Sequence, residues 1–179
     1  WHERVLSVLL DVDEKKLQLH TTHIPPGSSN GWIKIDTIKG IVGYFSEKLD
    51  YDQILCGDFN TPQKEDEENG IITFGQTVRS SGKVVTKKQF RGGLGVDWDK
   101  GERSLFNELR EYGLVDVFRE LNPSNYEAYS WQFIRKNQNF KKRFDHIFAD
   151  KQLKAISCNY HETPSKLSDH RPIVAEFFF

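Results

Sequence analysis

The sequence predicts an α/β or α+β domain built on buried sheets. Two observations carry this. Short apolar, strand-like runs and amphipathic helical stretches are interspersed along all 179 residues. No internal repeat, linker or low-complexity tract divides them, and the length suffices for one domain, 1–179, with a sizeable core.

The first elements are strands at 4–11 (RVLSVLLD) and 17–24 (LQLHTTHI), joined by the polar turn Asp13-Glu14-Lys15-Lys16. The second strand sets Leu17 and Leu19 on one face and His20 and Thr22 on the other, and delivers His23 at its end. A loop, PPGSSNG, fills 25–31. Ile35, Ile38, Val42, Phe45 and Leu49 then recur at three- and four-residue spacing, which predicts a helix over 32–49 with Ser29 or Asn30 as its N-cap. Residues 53–56 are the next strand. Between about 63 and 101 the texture changes to an acidic run, Glu65 to Glu68, then glycines and a basic cluster of Lys87, Lys88 and Arg91. The acidic run reads as a solvated loop. A structureless segment this long is unusual inside a compact domain, so short strands are expected near 71–75 and 83–86. Leu105, Phe106, Leu109 and Tyr112 predict a helix over 102–112, stopped by Gly113. A helical piece at 115–121 ends before Pro123. Strands are expected at 128–134, 143–149 and 171–178.

Composition narrows the function classes. With 37% hydrophobic and 28% charged residues the chain reads as an ordinary soluble protein rather than a disordered one. A formal net charge of −1 supplies no global field for a polyanion, so any nucleic-acid contact must come from a local basic patch. No apolar stretch is long enough to span a membrane, and the N-terminus has no signal-peptide pattern. Cys56 and Cys158 are the only cysteines, and Cys56 reads as a small core residue. Both features fit a reducing, cytoplasmic setting. The chain begins with Trp1 and contains no Met, which suggests a piece of a longer product.

Polar groups collect where strands stop. In QILCGDFNTP (53–62) an apolar run ends at Gly57, and Asp58 and Asn60 follow on either side of Phe59. In an extended backbone that spacing projects both to one side, with Phe59 pointing into the core. A turn cap accounts for the same pair, because Asp and Asn bond their own backbone there. His23 precedes Ile24-Pro25 and reads equally well as a site residue or a satisfied edge histidine. Asp145 lies in the aromatic strand RFDHIFAD, where a buried carboxylate needs a partner. His170, in LSDHRPIVAEF, is a natural one: an Asp–His pair orients the ring and raises its pKa. Asp58 and Asp169 add carboxylates suited to a hard cation, which completes the parts of a Mg²⁺-assisted phosphoryl hydrolase.

GDFN, RFDHIFAD and LSDHRPI, in that order, resemble the endonuclease/exonuclease/phosphatase superfamily, and GLVDVFRELNP (113–123) and YSW (129–131) are similar to its exonuclease III-like branch. The resemblance covers nearly the whole chain. It implies two packed β-sheets flanked by helices, a four-layer DNase I-like sandwich. It also implies in-line attack of water on phosphorus, with Mg²⁺, or Mn²⁺ in its place, as cofactor. Asp58 and Asn60 match the family pair that holds the attacking water and phosphate. His23 matches a phosphate contact, His170 the catalytic histidine, Asp145 its partner, and Asp169, with Asp58, the metal carboxylates. The family's opening Asn strand and metal-binding Glu have no counterpart in context among Glu3, Asp11, Asp13 and Glu14. The chain is therefore expected to be the C-terminal majority of the domain, inactive by itself if that Glu is essential.

Three functions compete. The leading one is a nuclease acting on DNA or RNA, with Arg135, Lys136, Lys141, Lys142 and Arg143, interleaved with Phe140, contacting phosphates. A solvated hairpin loop explains that basic run equally well. The second is a phosphatase or phosphodiesterase for a small or lipid-borne phosphate, which near-neutral charge favours. The third is a catalytically silent binding module that keeps the fold.

Overall fold

The computed structural model describes residues 4–12, 15–68, 70–122, 127–164 and 167–178. The expected turn at Asp13-Glu14, and Glu3 and Pro123, lie outside them. The chain opens with β1 (Val5–Val12) and β2 (Lys15–His23), a short helix α1 (Gly27–Asn30), helix α2 (Ile33–Tyr44) and β3 (Asp52–Asp58). Six short strands follow: β4 (Lys64–Asp66), β5 (Gly70–Ile72), β6 (Gln76–Val78), β7 (Val84–Thr86), β8 (Gln89–Phe90) and β9 (Gly93–Leu94). Then come α3 (Gly95–Glu111), β10 (Leu114–Asp116), α4 (Val117–Leu121), β11 (Trp131–Arg135), β12 (Gln138–Lys142), β13 (Asp145–Asp150), β14 (Lys154–Tyr160) and β15 (Ile173–Phe178).

One five-stranded sheet, in the order β1-β2-β3-β13-β10, organises the molecule. Only β2 and β3 run parallel, because α1 and α2 provide the crossover that a parallel pair needs. Successive residues of the central strands serve opposite faces. Leu55 and Phe148 pack beneath Ile38, Ile41 and Val42 of α2, Phe45 just past its end, and Leu105 and Leu109 of α3. Their neighbours Ile54 and Ile147 pack on the other side against Cys158 of β14 and the inward residues Ile173, Ala175 and Phe177 of β15. The helix layer, the five-stranded sheet and the two-stranded β14–β15 sheet therefore stack as packed sheets flanked by helices, as the family resemblance implies. No described helix is long and apolar enough to cross a membrane.

Several elements differ from expectation. The loop at 25–31 contains α1, and Trp32 rather than Ser29 or Asn30 caps α2. Helix α2 ends at Tyr44, although Phe45 still packs in the core at 4% exposure. Helix α3 begins seven residues before the predicted start at 102, at Gly95. Its interior Gly101 is required by packing: a Cβ there would lie 2.5 Å from Ile35 Cγ2 of α2. The 63–94 segment folds into three small antiparallel hairpins, β4–β5, β6–β7 and β8–β9; the short strands expected near 71–75 and 83–86 correspond to β5 and β7, and the other four were not foreseen. The β12 and β14 strands were not anticipated. The acidic run is not a plain solvated loop either, because Glu65 is enclosed with Arg119 and Arg143.

Candidate active site

The site grows from strand register. In the parallel β2–β3 pair His23 stands opposite Asp58, and in the antiparallel β3–β13 pair Asp58 stands opposite Asp145. Three adjacent strands thus present His23, Asp58 and Asp145 in a single row, with strand spacing of ~4.8 Å. Gly57 permits the close approach. Its φ is 138°, and a Cβ at this position would lie 1.9 Å from the Thr22 carbonyl oxygen.

Past Gly57 the chain turns. Asp58 Oδ1 accepts from the Asn60 backbone N–H at 2.8 Å, and Oδ2 accepts from Asn60 Nδ2 at 3.0 Å. Asn60 adopts a φ of 52°, a left-handed conformation that Asn tolerates. The two side chains meet through this tight turn, not along an extended strand: the turn-cap reading and the site reading describe the same geometry. Phe59 is fully buried against His146 and Phe148, as its spacing predicts. Asn60 Nδ2 also donates to the Ile24 carbonyl at 2.9 Å. Both amide hydrogens are then engaged, so in this arrangement Asn60 aims Asp58 instead of offering a free donor to phosphate.

Asp145 Oδ2 lies 2.8 Å from His170 Nδ1. A carboxylate facing Nδ1 holds the N–H there and leaves Nε2 directed away from Asp145. The bond to Asp145 raises the His170 pKa; partial burial opposes this, and the charges of Asp145, Asp58 and Asp169 reinforce it. Burial raises the Asp58 carboxyl; the Asn60 amide pulls it back, and the Asp145 charge pushes it further up. His23 Nε2 is 3.7 Å from Asp58 Oδ2, too long for a hydrogen bond, and its side chain is 63% exposed. The 169–171 segment is fastened to the start of β11: Trp131 bridges His170, the Arg171 N–H donates to the Ser130 carbonyl, and the Trp131 indole N–H donates to Asp169 Oδ2 at 2.9 Å. Ser130 Oγ in turn accepts from the backbone N–H of Phe144 and Asp145.

The basic run divides. Arg135 and Lys136 are exposed at the tip of the β11–β12 hairpin, whose turn residues Lys136 and Asn137 have φ of 48° and 61°. Lys141 is exposed and lies over the Tyr129 ring. Lys142 is half-buried, donates to the Gln63 carbonyl, and lines a cavity of about 280 Å³ with Lys34, Asn60, Trp131 and Phe144. Arg143 does not belong with them. It is 3% exposed and committed to Glu65 and Asp116, since a buried guanidinium needs carboxylates around it.

Sequence reasoning missed Lys34, Glu102 and His146, all buried within or behind the site. Lys34 carried a signal, because it shares the helical stripe of Ile38 and Ile41. Trp131, which holds Asp169, was noticed only within YSW.

Asp58 and Asp169 offer the hard oxygens that Mg²⁺ takes. A Mg²⁺ held by one or two protein carboxylates, with water and substrate phosphate completing its shell, fits them. Asp58 stands opposite Asp145 in the β3–β13 register, so two carboxylates adjoin there and a cation would offset their charge. Among the described residues, no group of three or more His, Cys, Asp or Glu side chains forms a metal cage.

No family model matches the chain. Exodeoxyribonuclease III from Haemophilus influenzae is 37% identical over 87 residues, which cover 42% of this chain and 32% of that protein. An AP endonuclease from Archaeoglobus fulgidus superposes with a TM-score of 0.61 at 20% identity, covering 96% of this chain and 64% of its own. D. rerio TDP2, solved with a single-strand DNA product, superposes with a TM-score of 0.59 at 15% identity, covering 98% and 61%. The chain thus spans under two thirds of each of these proteins. The stacked sheets and helices are those of a DNase I-like protein. The chain shares this fold with those proteins and with one named as an endonuclease/exonuclease/phosphatase family protein, in line with the resemblance carried by GDFN, RFDHIFAD and LSDHRPI.

Proposed function

We propose that this chain carries the catalytic groups of a divalent-metal-dependent phosphodiesterase that cleaves nucleic acid. The observation behind this reading is the row His23–Asp58–Asp145, extended by the 2.8 Å bond from Asp145 to His170. His170, fixed by Asp145, moves or shares a proton at Nε2 as water attacks phosphorus in line. Asp58, aimed by Asn60, orients that water, and His23 meets the phosphate from the exposed side. Mg²⁺ or Mn²⁺, held by Asp58 and Asp169, would offset the negative charge that builds on the phosphoryl oxygens. The preference for nucleic acid over a small or lipid phosphate rests on the likeness to a protein named exodeoxyribonuclease III, and on a structural neighbour solved with single-strand DNA. The exposed Arg135, Lys136 and Lys141 suit a phosphate backbone.

Cleavage of an end-labelled DNA duplex, with Mg²⁺ or EDTA, tests this. Cleavage should need the metal and fall by roughly 10²–10⁴ in His170→Ala. Cleavage that survives EDTA, full activity in His170→Ala, or turnover of an inositol phosphate but not DNA would contradict it.

A further inference from the structure

Two successive carbonyls just after Asp58 are each gripped by a buried side chain that is itself held by a carboxylate. On one side Lys34 Nζ, on α2, donates to the Asn60 carbonyl at 2.7 Å and pairs with Glu102 of α3. Glu102 is anchored further by the Phe74 N–H at 2.7 Å. On the other side His146 Nε2, on β13, donates to the Thr61 carbonyl at 2.8 Å, while its Nδ1 lies 3.2 Å from Asp116 Oδ2. Lys34 and Glu102 are 1% and 0% exposed, and His146 is 0% exposed.

Stability alone does not account for this investment. Burying an ion pair costs desolvation that its attraction barely offsets, and apolar replacements of similar volume are often neutral or stabilising. Burial accordingly lowers the Lys34 pKa, with Glu102 opposing. The two grips nevertheless act where geometry matters. The backbone N–H and side-chain amide that aim Asp58 belong to Asn60, the residue whose carbonyl Lys34 holds, and His146 adjoins Asp145 in the chain. One grip ties the turn to the helix layer, the other to the strand that carries Asp145.

We propose that Lys34 and His146 are positioning residues, a two-sided clamp that fixes the Asp58–Asn60 turn relative to the Asp145–His170 pair. Both side chains are buried, at 1% and 0% exposure. The clamp rests on the catalytic reading of the row, and its consequence is specific: releasing either grip lets the turn drift, and displacements of ~1 Å at a reacting centre can cost ~100-fold in rate.

The paired variant Lys34→Met/Glu102→Leu removes one grip without stranding a charge. His146→Ala removes the other, and His146→Gln keeps a donor that can reach the Thr61 carbonyl. The readouts are kcat and KM on a labelled DNA duplex with Mg²⁺, thermal unfolding, and amide hydrogen exchange at Asn60. The paired variant should stay cooperatively folded, with a modest loss of stability from the freed Phe74 N–H and Asn60 carbonyl, while kcat falls ~100-fold with KM little changed. His146→Ala should lower kcat likewise while also losing stability, because a fully buried ring and a partner of Asp116 are removed, and His146→Gln should restore most of kcat. Asn60 exchange should quicken in both released variants. Unchanged kcat in a stably folded paired variant, or a His146→Gln no better than His146→Ala, would overturn the clamp. If the parent protein cleaves no phosphodiester, the catalytic reading fails, and exchange alone then decides: quickened exchange at Asn60 upholds the clamp, and unchanged protection refutes it. If the paired variant does not fold, the His146 pair carries the test by the same criteria.

Discussion

Arg143 and Asp145 are two residues apart, yet they enter opposite electrostatic regions. Arg143 sits in an enclosed network in which Glu65 and Asp116 are matched by Arg119, Arg143 and His146. Burial alone would raise the Asp116 carboxyl, but the charges and hydrogen bonds of Arg143 and His146 overcome it and hold it well below the usual range. Across the strand, Asp145 joins a half-open cluster in which Asp58, Asp145 and Asp169 gather around His170. Here burial wins at Asp58, whose carboxyl rises. The first region is a closed set of charges that holds structure. The second keeps a surplus of partly exposed carboxylates, where the proposed cation and phosphate would meet them. The same physics yields both, and what separates them is whether a buried guanidinium is present.

The sharpest way to break this comparison is at Asp58. Asp58→Asn keeps the size but removes the charge and an acceptor for Asn60. Metal-dependent cleavage should fall by roughly 10²–10⁴ in a protein that unfolds normally. A near-normal rate would remove Asp58 from the chemistry.

On the closed side, Arg143→Met strands Glu65 and Asp116 without their shared cation. Unfolding in urea should show a loss of about 3–5 kcal/mol, because Glu65 keeps only Arg119 and Asp116 only His146 as charge partners, leaving buried negative charge under-compensated. A loss below ~1 kcal/mol, the usual worth of a surface ion pair, would show that the network is not closed.

The same network predicts acid sensitivity. Burial would raise the Glu65 carboxyl, but Arg143 and Arg119 reverse this, so both Glu65 and Asp116 titrate below their unfolded values. Depressed carboxyls contribute stability that is present above the unfolded pKa, ~4, and lost as pH falls through the folded values. Stability should therefore drop steadily below about pH 4, and Glu65→Gln should flatten part of that slope. An unchanged slope in Glu65→Gln would contradict the assignment.

The smallest effect belongs to the open hairpin. Lys141→Ala should weaken DNA binding about equally for all sequences and reduce the salt slope by about 1. A change in sequence preference without a change in slope would show that Lys141 does something other than neutralise a phosphate.

Much of this was legible in the sequence where the signal is local. Strand β3 announces itself by Ile54-Leu55-Cys56 ending at Gly57, and the pairing of Asp145 with His170 follows from a carboxylate in an aromatic strand needing a partner. What stayed hidden depends on contacts far apart in the chain. Nothing near Arg143 reveals that Glu65, 78 residues away, encloses it. The first turns of α3 were hidden because Gly95, Asp97, Asp99 and Gly101 interrupt the helical pattern, and Gly101 is there to admit Ile35. The hairpins between 64 and 94 have strands of two or three residues, too short to show a period. Lys34 lies on the apolar stripe of α2, but its partner, Glu102, is on another helix and no local pattern shows the pair.

Asp145→Ala tests the central claim most directly. The backbone of Asp145 is held independently of its carboxylate, by Ser130 Oγ at its N–H and by the Tyr160 hydroxyl at its carbonyl, so the fold should survive the change. Single-turnover cleavage of a labelled DNA duplex with Mg²⁺, measured alongside urea unfolding on the same preparation, gives both quantities. The account predicts a rate at least ~100-fold lower with stability within about 1 kcal/mol of the parent. A rate close to the parent's in a stably folded Asp145→Ala would show that the row His23–Asp58–Asp145–His170 is not where the chemistry happens.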